Sequence, residues 1–289
     1  MQLKNSNQII VAPGCYDAFS AMLIADAGFT TAYVTGASIS YTRLGKPDIG
    51  LVSMNEVVET INLIHERTSI PLIVDGDTGF GNAINVIRTV RAFEAAGASA
   101  IQLEDQTLPK RCGHLKGKSL VSTEEMIGKI KAATDARRSE EFLIIARTDS
   151  IAVEGFEEAL ERASKYKEAG ADVLFIEAPE NDQQQIEIPK FFRNKIPLLA
   201  NMVEGGFTPL KSANELEKLG YKIVIFPGGL IRAFTFMARE YFASLKANGT
   251  NDPFRNRMLD FAELNKILET DKIIKMGSEY DSQNWKNKK

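Results

Sequence analysis

Three carboxylates, Asp75, Asp77 and Glu104, stand at the ends of short aliphatic runs, in Val74-Asp75-Gly76-Asp77 and Gln102-Leu103-Glu104. Brought together, such acids repel one another unless a cation sits among them. A hard divalent ion, Mg2+ with Mn2+ as a substitute, resolves the repulsion through oxygen ligands and retained waters. The plain alternative is that the acids cap the helices that follow. Beyond Glu104 runs a long connection, 105–121, which carries Lys110-Arg111-Cys112-Gly113-His114. The cationic or ionisable neighbours Lys110, Arg111 and His114 are expected to lower the Cys112 thiol pKa and make it a usable acid or base. An exposed loop thiol with solvated neighbours is the alternative. Arg147 suits a bidentate grip on a carboxylate, with a structural ion pair to Asp149 or Glu177 as the other reading. Glu177 and Asn201 close two further runs, while Tyr33 and Thr35-Gly36-Ala37 offer a phenol and backbone N–H groups to an oxyanion.

These residues need a scaffold that brings strand ends to one rim, and the pattern supplies it. Short β-branched or aliphatic runs at 9–12, 31–35, 72–75, 100–104, 142–147, 173–177, 198–201 and 223–226 alternate with amphipathic stretches of helical length. Helices are expected near 17–27, 53–68, 82–96, 122–138, 156–169, 182–194, 211–219 and 229–247. Eight strand-helix units predict an α/β fold, a (β/α)8 TIM barrel over 1–250, in which C-terminal strand ends carry the chemistry. Gly28, Gly97, Gly170 and Gly220 each read as a left-handed cap ahead of a strand. Ser122 to Glu125 carries a capping-box signature for the helix after the long loop. The stretch 251–289 predicts extra helices from the spacing of Met258, Phe261, Leu264, Ile267 and Leu268, with a frayed end over 282–289.

Composition narrows the class of partner. Thirty-five basic against 38 acidic residues leave a net charge of −3, with 44% hydrophobic and 25% charged positions. That balance gives no electrostatic footprint for nucleic acid or an anionic membrane, so the expected partner is a small molecule. No apolar run approaches a membrane span, and the start lacks the features of a signal peptide, so a cytoplasmic chain is expected. Cys15 and Cys112 cannot form a disulfide framework, and with only His65 and His114 beside them they cannot build the common zinc patterns. Gly76 to Gly81 lacks the Lys-Ser/Thr of a nucleotide-binding P-loop. His65 reads as solvated, and 226–229 as a tight turn.

Taken together, Tyr33-Val-Thr-Gly36, Asp75-Gly-Asp77-Thr-Gly-Phe-Gly81, Leu103-Glu-Asp-Gln106, Lys110-Arg-Cys-Gly-His114, Ala146-Arg-Thr-Asp149 and Asn201-Met-Val-Glu-Gly-Gly206 resemble the isocitrate lyase/phosphoenolpyruvate mutase superfamily. The resemblance spans nearly the whole chain. It implies a (β/α)8 barrel, Mg2+, a small 2-oxo or 2-hydroxy carboxylate substrate, and a homotetramer whose subunits exchange a C-terminal helix. By that resemblance Asp75 contacts the metal directly, Asp77 and Glu104 act through water, and Cys112 is the acid/base beside Lys110, Gly113 and His114. Tyr33, Thr35, Gly36, Ala37, Asp48, Arg147, Glu177 and Asn201 then line the substrate. The cysteine loop looks like that of carbon–carbon lyases acting on 2-methylisocitrate, dimethylmalate and other alkylmalates. The Asn201 to Gly206 loop looks closer to the dimethylmalate type. The same segments also resemble carboxyvinyl-carboxyphosphonate phosphorylmutase, a phosphonomutase alternative beside an oxaloacetate hydrolase or decarboxylase in the same site.

Overall fold

Strand β1 (Ile10–Cys15) pairs in parallel with β2 (Ala32–Val34), and pairing continues in chain order through β3 (Leu72–Asp75), β4 (Ala100–Glu104), β5 (Leu143–Thr148), β6 (Val173–Ile176) and β7 (Leu198–Asn201). Strand β8 (Ile223–Phe226) then returns to β1 and closes the barrel. This computed structural model describes residues 8–193 and 195–281. The expected frayed end over 282–289 lies outside the described residues. Helices α1 (Ala18–Asp26), α3 (Met54–Arg67), α4 (Ala83–Ala95), α5 (Thr123–Ala136), α6 (Phe156–Glu168), α7 (Asp182–Phe192), α8 (Ala213–Leu219) and α9 (Gly229–Asn248) follow the successive strands. A four-residue helix, α2 (Gly36–Ile39), and a π turn over Ser40–Leu44 add structure after β2 that the pattern did not suggest.

Two apolar clusters divide the strand residues by parity. Val34, Val74, Ile101, Leu103, Ile144, Ala146, Leu174, Ile176, Ala200 and Val224 belong to the large cluster shared with the helices. Their neighbours Tyr33, Ile73, Ala100, Ile145, Val173, Phe175, Leu199, Ile223 and Ile225 form a second cluster, the filling of the barrel. Because successive strand side chains alternate between faces, the inward row continues from Ile73 to Asp75, from Ala100 through Gln102 to Glu104, and from Ile145 to Arg147. It likewise runs from Phe175 to Glu177 and from Leu199 to Asn201. The chemical residues are therefore the uppermost members of the rows that fill the barrel.

Local signals behave as their chemistry dictates. Gly28, Gly97, Gly170 and Gly220 all hold φ between +85° and +111°, the left-handed turn that stops each helix and starts the next strand. Ser122 caps α5 through its hydroxyl, which accepts the Glu125 N–H at 3.1 Å. The capping box is only half made, because the Glu125 carboxylate lies 3.8 Å from Lys129 instead of reaching back. β1 runs three residues beyond the expected 9–12, so Cys15 is its fully buried last residue.

The chain divides into two compact units, 1–232 and 233–289, and the division falls inside α9. In the second unit Phe254 is buried against the Tyr241 ring at 5.6 Å, with the Arg257 guanidinium 4.6 Å from its centroid. The expected extra helices are α10 (Phe261–Ile267) and α11 (Thr270–Ser278), neither of which buries a residue. Among the described residues no helix is long and apolar enough to cross a membrane.

Candidate active site

The C-terminal rim of the barrel surrounds a recess of about 590 Å³ including its open mouth. Tyr33, Thr35, Ala37, Asp48, Asp75, Lys110, Cys112, Gly113, His114, Arg147, Glu177 and Asn201 all line it. Gly36, Asp77 and Glu104 stand just behind the wall. Sequence reasoning missed Ser38, Tyr41, Ile225, Pro227, Gly228 and Arg232 on the lining, while Val203 supplies the apolar wall that its type suggests. Arg232 is positioned by Glu204 at 2.6 Å.

The acidic corner is built on Asp75. Its Oδ1 accepts from Gln102 Nε2 and from the Asp77 N–H, both at 3.2 Å, which leaves Oδ2 toward Gly36. A Cβ on Gly36 would lie 3.2 Å from that oxygen, so the absence of a side chain keeps its approach open. Asp77 holds a left-handed φ of +46°, and its Oδ1 sits 2.7 Å from Lys110 Nζ. The same ammonium donates to Asp48 at 2.6 Å. Burial pushes the Asp77 carboxyl up to about 7 despite the opposing Lys110 charge, and Asp75 and Asp48 add to the rise. Burial likewise holds Glu104 well above the usual carboxylate range, against the pull of Arg147. Glu104 Oε1 is buried with no hydrogen-bond partner. Six buried carboxylates, Asp48, Asp75, Asp77, Glu104, Asp149 and Glu177, thus face three cations, Lys110, Lys118 and Arg147. This crowding of carboxyl groups, two of them kept from ionising by burial and one with an orphaned oxygen, fits a bound divalent cation, whose charge would let them ionise. Among the described residues no three His, Cys, Asp or Glu side chains close tightly enough to ligate an ion unaided.

Opposite lies the basic corner. Arg147 makes the bidentate ion pair expected as its structural alternative, Nε and Nη2 reaching Asp149 at 2.9 and 3.1 Å. Its remaining edge faces Glu104 at 3.4 Å and Glu177 at 3.5 Å. Glu177 accepts from Asn201 Nδ2 at 3.1 Å and from the Ala178 N–H at 3.1 Å. Asn201 Oδ1 has no partner. Tyr33 departs from its expected role: its hydroxyl donates to Gln102 at 2.6 Å, so its one proton is committed away from any oxyanion. Burial also raises that phenol well above its usual pKa, and Asp75 adds to the rise.

The 105–121 loop brings the thiol between the corners. Gly113 lies so near the rim that a Cβ there would meet Arg147 Nη2 and Glu177 Oε1, each at 2.4 Å. His114 accepts the Phe207 N–H on Nδ1 at 3.2 Å and points Nε2 at Glu177, 3.5 Å away. Burial lowers its pKa, so the imidazole is neutral with its proton on Nε2. The thiol expectation is corrected here: burial raises the Cys112 pKa instead of lowering it. Its neighbours in sequence turn elsewhere, Lys110 to Asp48 and Asp77, Arg111 to the Lys116 carbonyl, and His114 is uncharged. Held between two carboxylates, Lys110 keeps its proton well past the usual lysine range and serves as a fixed charge.

Residues 1–246 match the family model described as phosphoenolpyruvate phosphomutase. The chain belongs to that family. Within the family's wider superfamily, shared with isocitrate lyase, it is 46% identical over 281 residues to 2,3-dimethylmalate lyase of Eubacterium barkeri, covering 96% of each chain. It is 44% identical to 2-methylisocitrate lyase of Aeropyrum pernix, over 92% of this chain and 85% of that one. Carboxyvinyl-carboxyphosphonate phosphorylmutase of Arabidopsis thaliana is 39% identical over 97% and 84%. A crystal structure of 2,3-dimethylmalate lyase superimposes with a TM-score of 0.90 at 36% identity, covering 96% of this chain and 92% of that one. A phosphonopyruvate hydrolase solved with oxalate and Mg2+ superimposes at 0.86 and 33% identity, covering 96% of both chains. Lyases and mutases of this superfamily are therefore this chain's relatives, and the (β/α)8 barrel is theirs too.

Proposed function

We propose that this chain is a Mg2+-dependent carbon–carbon lyase that cleaves a 2-hydroxy di- or tricarboxylate, an alkylmalate or 2-methylisocitrate, into a 2-oxo acid and a carboxylate. The observation that carries the reading is the Cys112-Gly113-His114 turn seated against Arg147 and Glu177 in one recess with Asp75. The 46% identity with 2,3-dimethylmalate lyase supports it. Asp75 through Oδ2 would hold the ion directly, with Asp77 and Glu104 acting across water. When bound, the ion supplies stabilisation of the negative charge that develops on the substrate oxygens.

The chain's own residues do the rest. Arg147 and the backbone N–H groups of Gly36 and Ala37 face that charge, and Asn201 and Glu177 hold the substrate's polar edge. Arg232, on the lining and charged, suits a second carboxylate, as a di- or tricarboxylate requires. As the substrate's hydroxyl loses its proton to a carboxylate of the rim, its oxygen becomes the 2-oxo group, the carbon–carbon bond breaks, and the released carbanionic enediolate takes the Cys112 thiol proton, leaving a thiolate to be reprotonated. A thiol with a raised pKa is the protonated species at neutral pH, as that donation needs. The 105–121 loop covers the reactive intermediate and excludes water.

Exposed apolar side chains in 233–281, among them Phe234, Phe236, Phe242 and Phe261 at 59, 65, 62 and 87% exposure, support assembly of copies of this chain. A homotetramer with exchanged C-terminal helices is the proposed form. A second reading, phosphorylmutase chemistry in the same recess, is favoured by the 39% identity with the carboxyvinyl-carboxyphosphonate enzyme.

The test is incubation with Mg2+ and 2,3-dimethylmalate, 2-methylisocitrate, citramalate, oxaloacetate or phosphonopyruvate, with products followed by proton and phosphorus NMR. Pyruvate or propionate release from 2,3-dimethylmalate, 2-methylisocitrate or citramalate supports the lyase. Turnover of the phosphonate alone, with the malates intact, replaces it with the second reading.

A further inference from the structure

Lys118 lies near the far end of the 105–121 loop, and its side chain is only 1% exposed. A lysine ordinarily keeps its ammonium in water. Here Nζ donates to the Gly113 carbonyl at 2.5 Å and to Asp149 Oδ1 at 3.0 Å. The first bond crosses the loop and closes 113–118 into a turn. The second crosses from the loop to the residue after β5. Asp149 is the same carboxylate that clamps Arg147 through Nε and Nη2. One buried group thus holds both the thiol loop and the guanidinium.

Asp149 is itself fixed from behind. Its N–H donates to Asp105 Oδ1 at 2.9 Å, and Asp105 Oδ2 accepts from Thr148 at 2.7 Å and Tyr166 at 2.8 Å. Arg162 backs this group, 3.5 Å from Asp105 and bidentate to Glu154 at 2.6 and 2.8 Å. Of all these residues only Gly113 and Arg147 reach the wall of the recess. Lys118 and Asp149 therefore act on a substrate only through them. A further restraint on the thiol turn is on the acidic side, where the Cys112 N–H donates to the Asp48 carbonyl at 3.2 Å and Lys110 binds Asp48. Cys112 sits between the two anchors.

We infer that Lys118 and Asp149 are positioning residues that reference the Cys112-Gly113-His114 turn and Arg147 to one carboxylate, so that proton donor and charge stabiliser hold a common geometry. A site of this kind loses function when its groups drift by about 0.5 Å, and a loop of seventeen residues, 105–121, holds that tolerance only where it is pinned. The inference rests on the reading of Cys112 as the proton donor, and the test separates the two.

Lys118→Met keeps the length of the side chain and leaves Asp149 its Arg147 partner, so the barrel has no unpaired buried carboxylate. Lys118→Arg restores the charge and is the control for folding. Two quantities are measured on the full chain: steady-state kcat and KM, and the rate at which iodoacetamide alkylates Cys112 without substrate, mapped by peptide mass. Cys15 is fully buried and does not compete. The expected result for Lys118→Met is a kcat lowered roughly tenfold or more with KM little changed. Cys112 alkylation should rise several-fold, Lys118→Arg should recover most of both, and Lys118→Met should add little in a Cys112→Ser background. Unchanged alkylation overturns the inference whatever the activity, as does a loss of kcat that adds fully to that of Cys112→Ser. Faster alkylation in a chain that cleaves none of the offered substrates upholds the positioning and removes the lyase reading.

Discussion

Gly113→Ala is the smallest change that tests how closely the thiol loop must approach the rim. Its new methyl would lie 2.4 Å from Arg147 Nη2, 2.4 Å from Glu177 Oε1 and 2.7 Å from Glu177 Cγ, where ordinary contact begins near 3.4 Å. About 1 Å must be found. Arg147 is tied to Asp149 and Glu177 to Asn201, so neither side chain retreats without breaking a buried hydrogen bond. Relief comes from lifting the loop or twisting the ion pairs, and overpacking of this kind costs about 1–3 kcal/mol of stability. Either route displaces a reacting group by about 1 Å, which lowers kcat/KM about 10²-fold, close to 2.7 kcal/mol of transition-state stabilisation. Steady-state kinetics on the best substrate, beside a thermal melt, reads both effects. A variant within a factor of two of the parent in kcat/KM would refute the claim that this turn is seated in its working position.

Cys112→Ser should lower kcat by orders of magnitude while Mg2+-dependent thermal stabilisation is retained; full activity sinks the proton-donor role. Because burial raises the Cys112 pKa, its acid form persists through neutral pH, so the rate should hold level and fall only as pH climbs through that raised value. The serine variant should show no such alkaline limb. Asp75→Ala should abolish the rise in melting temperature with added Mg2+, read by calorimetry, whereas an unchanged Mg2+ affinity moves the metal site elsewhere. Asp149 is held at about 2 against an ordinary 3.8, with the Arg147 and Lys118 charges overcoming the effect of burial. A depressed carboxylate contributes stability that is present above its unfolded pKa and lost as pH falls through the folded one. Acid unfolding should thus steepen between about pH 4 and pH 2, and Asp149→Asn should flatten that window; equal slopes in both proteins argue against the pairing.

The strands were legible because a parallel strand buried on both faces reads as an uninterrupted aliphatic run, and a polar residue ending such a run stands out. β3, β4, β7 and β8 lie where that reading puts them, with Asp75, Glu104 and Asn201 as the last residues of the first three. Loop-borne members of the recess carried no comparable signal. Ser38 and Tyr41 sit in α2 and the π turn, which have no periodicity to announce them, and Arg232 sits in the first turns of α9 among apolar neighbours. The thiol was misread for a different reason. Adjacency in sequence says nothing about where a long side chain points, and the three basic neighbours of Cys112 are satisfied by Asp48, Asp77, the Lys116 carbonyl and the Phe207 N–H. Of the doubled use of Asp149 only the Arg147 half was legible, two residues away in sequence; Lys118 lies on a separate segment and gave no sign of it.

That Asp75, Glu104, Arg147, Glu177 and Asn201 each crown an inward row has a consequence for how such enzymes diverge. Deleting one residue from β3 would bring Val74 inward and turn the acid toward the helices, losing packing and chemistry in the same event. A substitution at the crown leaves Ile73 and the filling below untouched. Length changes inside strands are thus closed to this architecture, and new specificity has to arise by exchange of single crown residues or by remodelling the segments between elements. Lyases and mutases with the same barrel beneath them are what such a restriction produces.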